Sequence, residues 1–131
     1  MTANIQYLGG LRTRLYHNRS GAEIITDAPV DNRGQGQSFS PTDLMASSLA
    51  SCILTIMGIY ALDNEIDMEG TEIQMEKIMH SDPRKIASIK MEITFPNSLL
   101  KEDRGKLLVA AKSCPVSSSI DPDLIVELNE A

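Results

Sequence analysis

Cys52 and Cys114 are the only two thiols of this 131-residue chain, and they stand sixty-two residues apart. A thiolate is a strong nucleophile, and two thiols that meet can carry a two-electron redox cycle: one sulfur attacks an oxidant, the other closes a disulfide. Cys52 lies inside nineteen uncharged residues, Leu44–Leu62, between Asp43 and Asp63. Apolar burial disfavours a thiolate, and the helix dipole fades within one turn, so a cysteine three turns past Ser40 gains nothing from it. Chemistry at Cys52 therefore requires a cation from elsewhere in the fold. Arg12 and Arg14, on one face of a strand, are the candidates, with Arg33 of the following loop as an outsider. Cys114 precedes Pro115. If the proline opens a new helical turn, Cys114 caps it and its thiolate is favoured; if it only ends the preceding helix, the dipole opposes ionisation. The plain alternative is that both cysteines are small core hydrophobes.

The elements that must position these residues are marked in the sequence. Leu11–His17 alternates as a strand, Asn18-Arg19-Ser20-Gly21 is a turn signature, and Ala22–Thr26 reads as the returning strand. Residues 27 to 40, rich in glycine and polar side chains, read as a mobile loop. Ser40, Pro41 and Asp43 then form a helix start, with a cap, a proline at the first position and a carboxylate at the third. That helix should run to about Leu62. Its apolar residues occupy every side, which calls for burial all round and, in so small a chain, for a second subunit to cover it. Thr71–Met79 and Ala87–Phe95 alternate as two strands around a hairpin loop at His80–Lys85. A second helix runs from after Ser98 to about Ser113, with Leu100, Leu107, Ala111 and Cys114 on one face. Asp123–Leu128 reads as a closing strand. Strand-rich halves around two long helices make an α+β fold in a single domain, residues 1–131.

Composition removes several classes of function. The net charge is −6 with no basic run, so nucleic-acid binding is disfavoured. The first residues lack a basic segment followed by an apolar stretch, and two cysteines suit thiols in a cytoplasmic protein. The uncharged run is long enough to span a bilayer, but Ser47, Ser48, Ser51 and Thr55 dilute it and neither flank is basic, so it reads as a buried helix. His17 and His80 share no metal-ligand spacing and read as turn or surface residues. Gly34-Gln35-Gly36 lacks the context of a phosphate loop, and Ser117-Ser118-Ser119 reads as polar capping.

The stretch from Ser40 through Pro41, Thr42 and Asp43 to Cys52, with Cys114-Pro115-Val116-Ser117 downstream, resembles the OsmC/Ohr family of osmotically inducible and organic-hydroperoxide-resistance proteins. The resemblance follows the element order of nearly the whole chain. It implies an intertwined homodimer, with two antiparallel β-rich halves around long buried central helices and sites at the subunit interface. It also implies thiol-dependent reduction of hydroperoxides with no metal or prosthetic group. On that resemblance Cys52 matches the peroxidatic cysteine, Cys114 the resolving cysteine, and Arg12 the activating arginine, with Arg14 as fallback. Peroxide attack would leave a sulfenic acid on Cys52, Cys114 would close a disulfide, and an external dithiol would reduce it. One position departs from the pattern. Where the hydroperoxide-resistance branch has a glutamate paired with the arginine, this chain has Thr42. That departure, with the methionine-rich interior, motivates a second reading: a non-catalytic dimer of the same fold that binds an apolar small ligand.

Overall fold

A tight turn at Asn18–Gly21 folds β2 (Arg12–His17) back on β3 (Glu23–Asp27), while Gly9 and Gly10, both at positive φ, let β1 (Ala3–Gly9) pair with the other edge of β2. The computed structural model describes residues 1–131. All pairings in this first sheet are antiparallel, with Arg12 opposite Asp27 and Thr13 opposite Thr26. β3 thus extends one residue beyond the expected strand and takes in Asp27. Residues 28 to 39 are irregular, as expected, but they are tied down internally. A short 3-10 turn occupies Val30–Asn32, Gly34 N–H donates to Pro29 O, and Gly36 N–H donates to Ala28 O. Ala28 N–H donates to Leu11 O and Asp27 N–H to Phe39 O, so both ends of the segment are bonded.

The chain divides into two compact units, Met1–Met45 and Ala46–Ala131, with the division falling inside α1 (Pro41–Asp63). The start of α1 is a reciprocal cap: Asp43 N–H donates to Ser40 Oγ at 3.1 Å, and Ser40 N–H donates to Asp43 Oδ2 at 3.0 Å. The helix ends one residue past the expected Leu62. Within the carboxy-terminal unit it buries one face only, through Ala46, Leu49, Ala50, Ile53, Met57 and Ala61. Burial on all sides is therefore not met within one chain; Ile59 and Leu62 remain exposed. By length and mean hydropathy of 1.8 the helix could cross a bilayer. Its buried face instead joins a core with Ile89, Met91 and Ile93 of a sheet.

That sheet is β4 (Glu72–Ser81), β5 (Arg84–Thr94) and β6 (Ile125–Glu130), in the order β4-β5-β6. β4 and β5 run longer than expected, leaving Asp82-Pro83 alone in the turn. Ile89, Met91 and Ile93 are buried and alternate with exposed Lys90, Glu92 and Thr94. The sheet is mixed rather than wholly antiparallel, because β6 pairs parallel to β5. A parallel return needs a crossover, and α2 (Lys101–Ala110), followed by a 3-10 turn at Ala111–Ser113, lies in it. Arg104 Nη1 binds Glu130 Oε1 at 2.8 Å, pinning α2 to β6.

One expected core position is wrong. Leu100 caps α2 in an extended conformation (φ −66°, ψ 145°) and is 68% exposed, so it does not share the helix face. Its neighbour Leu99 is buried in its place, with Leu107, Ala111 and Cys114. Leu124, just before β6, and Leu128 on it pack against the core while Val126 is exposed.

Candidate active site

The carboxy-terminal unit brings its two sulfurs together. Cys52, partly buried on α1, is a side-chain hydrogen-bond partner of Cys114, and both thiols are free. Cys114 is fully buried. The 3-10 turn after α2 stops at Ser113, Cys114 is its extended C-cap, and a new 3-10 turn with Val116 at its N-cap covers Ser117–Ser119. The new turn nonetheless faces Cys114, with Ser117 N–H directed at its Sγ at 3.4 Å and Ser118 N–H donating to its carbonyl at 3.2 Å. These influences oppose one another. Burial pushes the Cys114 thiol up most strongly, the Cys52 side chain adds to that, and the N–H groups of Ser117 and Val116 pull it down. The net shift is upward, so Cys114 is a neutral thiol at neutral pH. No cation is among the groups acting on it.

The amino-terminal unit holds the charged candidates. Arg12 Nη2 lies 3.5 Å from Asp27 Oδ2 and donates to Gln37 Oε1 at 2.5 Å. Asp27 is 1% exposed, whereas the Arg12 side chain retains 38% of its exposure. Gln37 N–H donates to Asp27 Oδ2 at 3.0 Å. That bond is the largest reason the Asp27 carboxyl is held below its ordinary value; burial works against it, and the Arg12 charge and the Gln35 N–H add to the lowering. Asp27 Oδ1 is buried and makes no hydrogen bond of normal geometry. Beside this cluster the Thr13 and Thr26 hydroxyls share a hydrogen bond.

Asp27 is the residue that the sequence reading missed. The signal was present, because the Asn18–Gly21 turn sets the register that puts Arg12 opposite Asp27. Arg14 is differently employed: it lies 3.8 Å from Glu23, with both side chains exposed, and over the Tyr16 ring at 5.9 Å. Arg33 is exposed at the end of the Val30–Asn32 turn, at φ 67°. Thr42 hydrogen-bonds back to Ser40 Oγ at 3.2 Å, within the helix cap. The histidines hold turns, His17 Nδ1 with Ser20 Oγ at 2.7 Å and His80 Nδ1 with Pro83 O at 3.2 Å.

An open cleft of about 580 Å³ lies between α1 and β4, lined by α1 residues from Ser47 to Thr55 and by Ile73 and Met75. Neither cysteine lines it.

The fold is that of a two-sheet α+β protein; one unit holds a thiol pair, with one sulfur on the long helix, and the other holds an arginine clamped by a buried carboxylate. Comparison with known proteins gives the family. Residues 34–129 match the family model for OsmC-like protein, and the chain belongs to that family. A protein of Psychrobacter arcticus 273-4, named for an osmotic stress induced and detoxification response, is 46% identical with a TM-score of 0.94; the match covers 100% of this chain and 96% of that one. The fold is shared with an organic hydroperoxide resistance protein OsmC of Legionella pneumophila, 19% identical with a TM-score of 0.77 over 100% and 97% of the two chains. It is shared also with the organic hydroperoxide resistance protein OhrB of Bacillus subtilis, 20% identical with a TM-score of 0.70 over 100% and 98%. No curated protein matches at a significant level.

Proposed function

We propose that this OsmC-like chain is a thiol-dependent hydroperoxide reductase of the oxidative stress response, with organic hydroperoxides as substrates. Family membership supports a role in osmotic or hydroperoxide stress. The observation that carries the chemistry is the pairing of Cys52 with Cys114, because two thiols sixty-two residues apart have no local reason to meet. In this reading the Cys52 thiolate attacks the distal peroxide oxygen, the O–O bond breaks, and the alkoxide leaves as alcohol after taking a proton. Cys52 becomes a sulfenic acid. The Cys114 sulfur then displaces the sulfenic oxygen as water, forming the Cys52–Cys114 disulfide. An external dithiol restores both thiols and is itself oxidised to a disulfide.

Arg12 is the cation assigned to stabilise the Cys52 thiolate. That assignment comes from the family resemblance, and its support in this chain is the Asp27–Gln37 clamp, which neither Arg14 nor Arg33 possesses. The chain acts as one OsmC-like domain, as a homodimer and in the cytoplasm; the exposed Ile59 and Leu62 of α1 support the dimer. The test is direct. Reduced protein treated with an alkyl hydroperoxide should lose two hydrogens in mass by intramolecular disulfide formation, and C52S should abolish both this change and turnover with a dithiol. Turnover that survives in C52S would remove Cys52 as the nucleophile.

The cleft between α1 and β4 favours the second reading, a non-catalytic dimer that binds an apolar small ligand there, since its volume suits one and neither sulfur lines it. Saturable binding of a long-chain fatty acid, lost on Ile73→Glu, together with no hydroperoxide consumption, would establish that reading instead.

A further inference from the structure

We infer that Asp27 is the positioning residue for Arg12, holding the guanidinium in one orientation from a strand rather than from the helix that carries Cys52. The inference rests on the peroxidase reading and adds a residue to it. It starts from the cost of the arrangement. A carboxylate that is 1% exposed, with one oxygen lacking a normal hydrogen bond, is expensive to bury, and a buried ion pair of this kind is weak as a source of stability. What such a pair does well is restrict geometry. Arg12 is a long side chain with 38% of its exposure left, and without partners it would sample many rotamers.

Two groups remove that freedom at a single nitrogen. Nη2 meets the Asp27 carboxylate and the Gln37 side-chain oxygen together, so neither partner takes up Nε or Nη1. The carboxylate is itself fixed, since Gln37 N–H binds the same Oδ2 that faces the arginine. The loop that presents Gln37 is built for close approach: a Cβ on Gly34 would lie 1.6 Å from the Ala28 carbonyl oxygen. Thr42, at the position where the hydroperoxide-resistance branch carries its acidic partner, is engaged in the helix cap. The carboxylate on Arg12 in this chain is that of Asp27, at the end of β3.

The sign of the effect separates positioning from simple charge. If Asp27 acted only as a nearby anion, Asp27→Asn would remove a negative field and make a thiolate easier to form. If it positions Arg12, the same substitution releases the cation and makes the thiolate harder to form. The experiment is the pH profile of Cys52 alkylation by iodoacetamide in the full-length reduced protein, read by mass, for wild type, R12A, D27N and the double variant. Circular dichroism and urea titration monitor the fold. The fully buried Cys114 serves as the internal unreactive thiol.

The expected result is an alkylation rate at pH 7 about tenfold lower in D27N, equivalent to a shift of about one pH unit. R12A should lower it at least as much, and D27N should add nothing in the R12A background. Q37L, which keeps the backbone N–H to Asp27, should give a smaller shift in the same direction and serves as the readout if D27N does not fold. A faster or unchanged rate in D27N, or in Q37L where D27N is unfolded, while R12A slows the reaction, would overturn the positioning role and leave the peroxidase reading standing. Equal effects of D27N with and without Arg12 would also overturn it. An R12A profile identical to wild type would remove Arg12 from the chemistry and this inference with it.

Discussion

The two units of this chain treat polarity in opposite ways. The amino-terminal unit buries a full charge, Asp27, and meets one of its oxygens with a backbone N–H and a guanidinium. The carboxy-terminal unit buries a sulfur, Cys114, among apolar side chains and offers it only two backbone N–H groups. The first unit therefore spends its local structure on orienting a cation, and the second on bringing two sulfurs together. Faults in the two units are therefore separable: the Arg12 guanidinium can lose its orientation while the sulfurs still meet, and the sulfurs can be parted while the guanidinium stays clamped.

Substitutions can break that contrast or sharpen it. The largest effect on stability is expected from Leu107→Ala, which empties a fully buried position of the carboxy-terminal core and should cost roughly 2–5 kcal/mol by urea denaturation. Leu100→Ala, next to buried Leu99 but itself exposed, should stay within about 0.5 kcal/mol. A comparable loss at both leucines would mean that the core is not organised around Leu99 and Leu107. A smaller effect, about 1–3 kcal/mol, is expected from Gly34→Ala, whose new methyl group meets backbone rather than a movable side chain. Hydrogen exchange should then quicken around residues 28–37 and not in α2 or β5. Acceleration throughout the second unit would show that the two regions unfold as one.

The smallest effect is on pH dependence, and here the units should respond on opposite limbs. The Asp27 carboxyl is held below its ordinary value of 3.8 in the folded state. Its contribution is therefore present above that value and lost as pH falls through the folded one, so D27N should flatten the acid limb of stability. The Cys114 thiol is pushed above its ordinary value of 9.0. Its contribution is full below 9.0 and lost as pH rises through the folded value, so C114S should flatten the alkaline limb. Thermal melts across pH would check both, and a single variant that altered both limbs would erase the distinction.

Much of this was legible in the chain because local chemistry specifies it. Ser40 and Asp43 announce a helix start by their spacing, and the structure forms both reciprocal bonds. The strand alternation of Ile89–Phe95 translates directly into buried and exposed positions. The family was legible for the same reason, since its motifs are short and local. What escaped depends on phase or on distance. Leu99 and Leu100 differ by one residue, and only the actual first helical residue decides which turns inward. The direction of β6 escaped because a short alternating strand looks the same whether its partner runs parallel or antiparallel. The meeting of Cys52 with Cys114 was legible only through the family resemblance and not from the residues themselves, because closure of so long a loop is decided by tertiary packing. Asp27 is the instructive case: its sequence neighbours mark the start of a loop, although counting outward from the turn places it across from Arg12.

The neighbouring sulfurs have a thermodynamic consequence of their own. A covalent link between positions 52 and 114 would close a loop of sixty-two residues, and the chain-entropy estimate for a loop of that length is about 4 kcal/mol. The oxidised molecule would then resist heat and denaturant more than the reduced one. Oxidation followed by reduction would pass the chain through a hardened form and return it to a softer one, so its melting temperature would itself register the balance of oxidant and reductant around it.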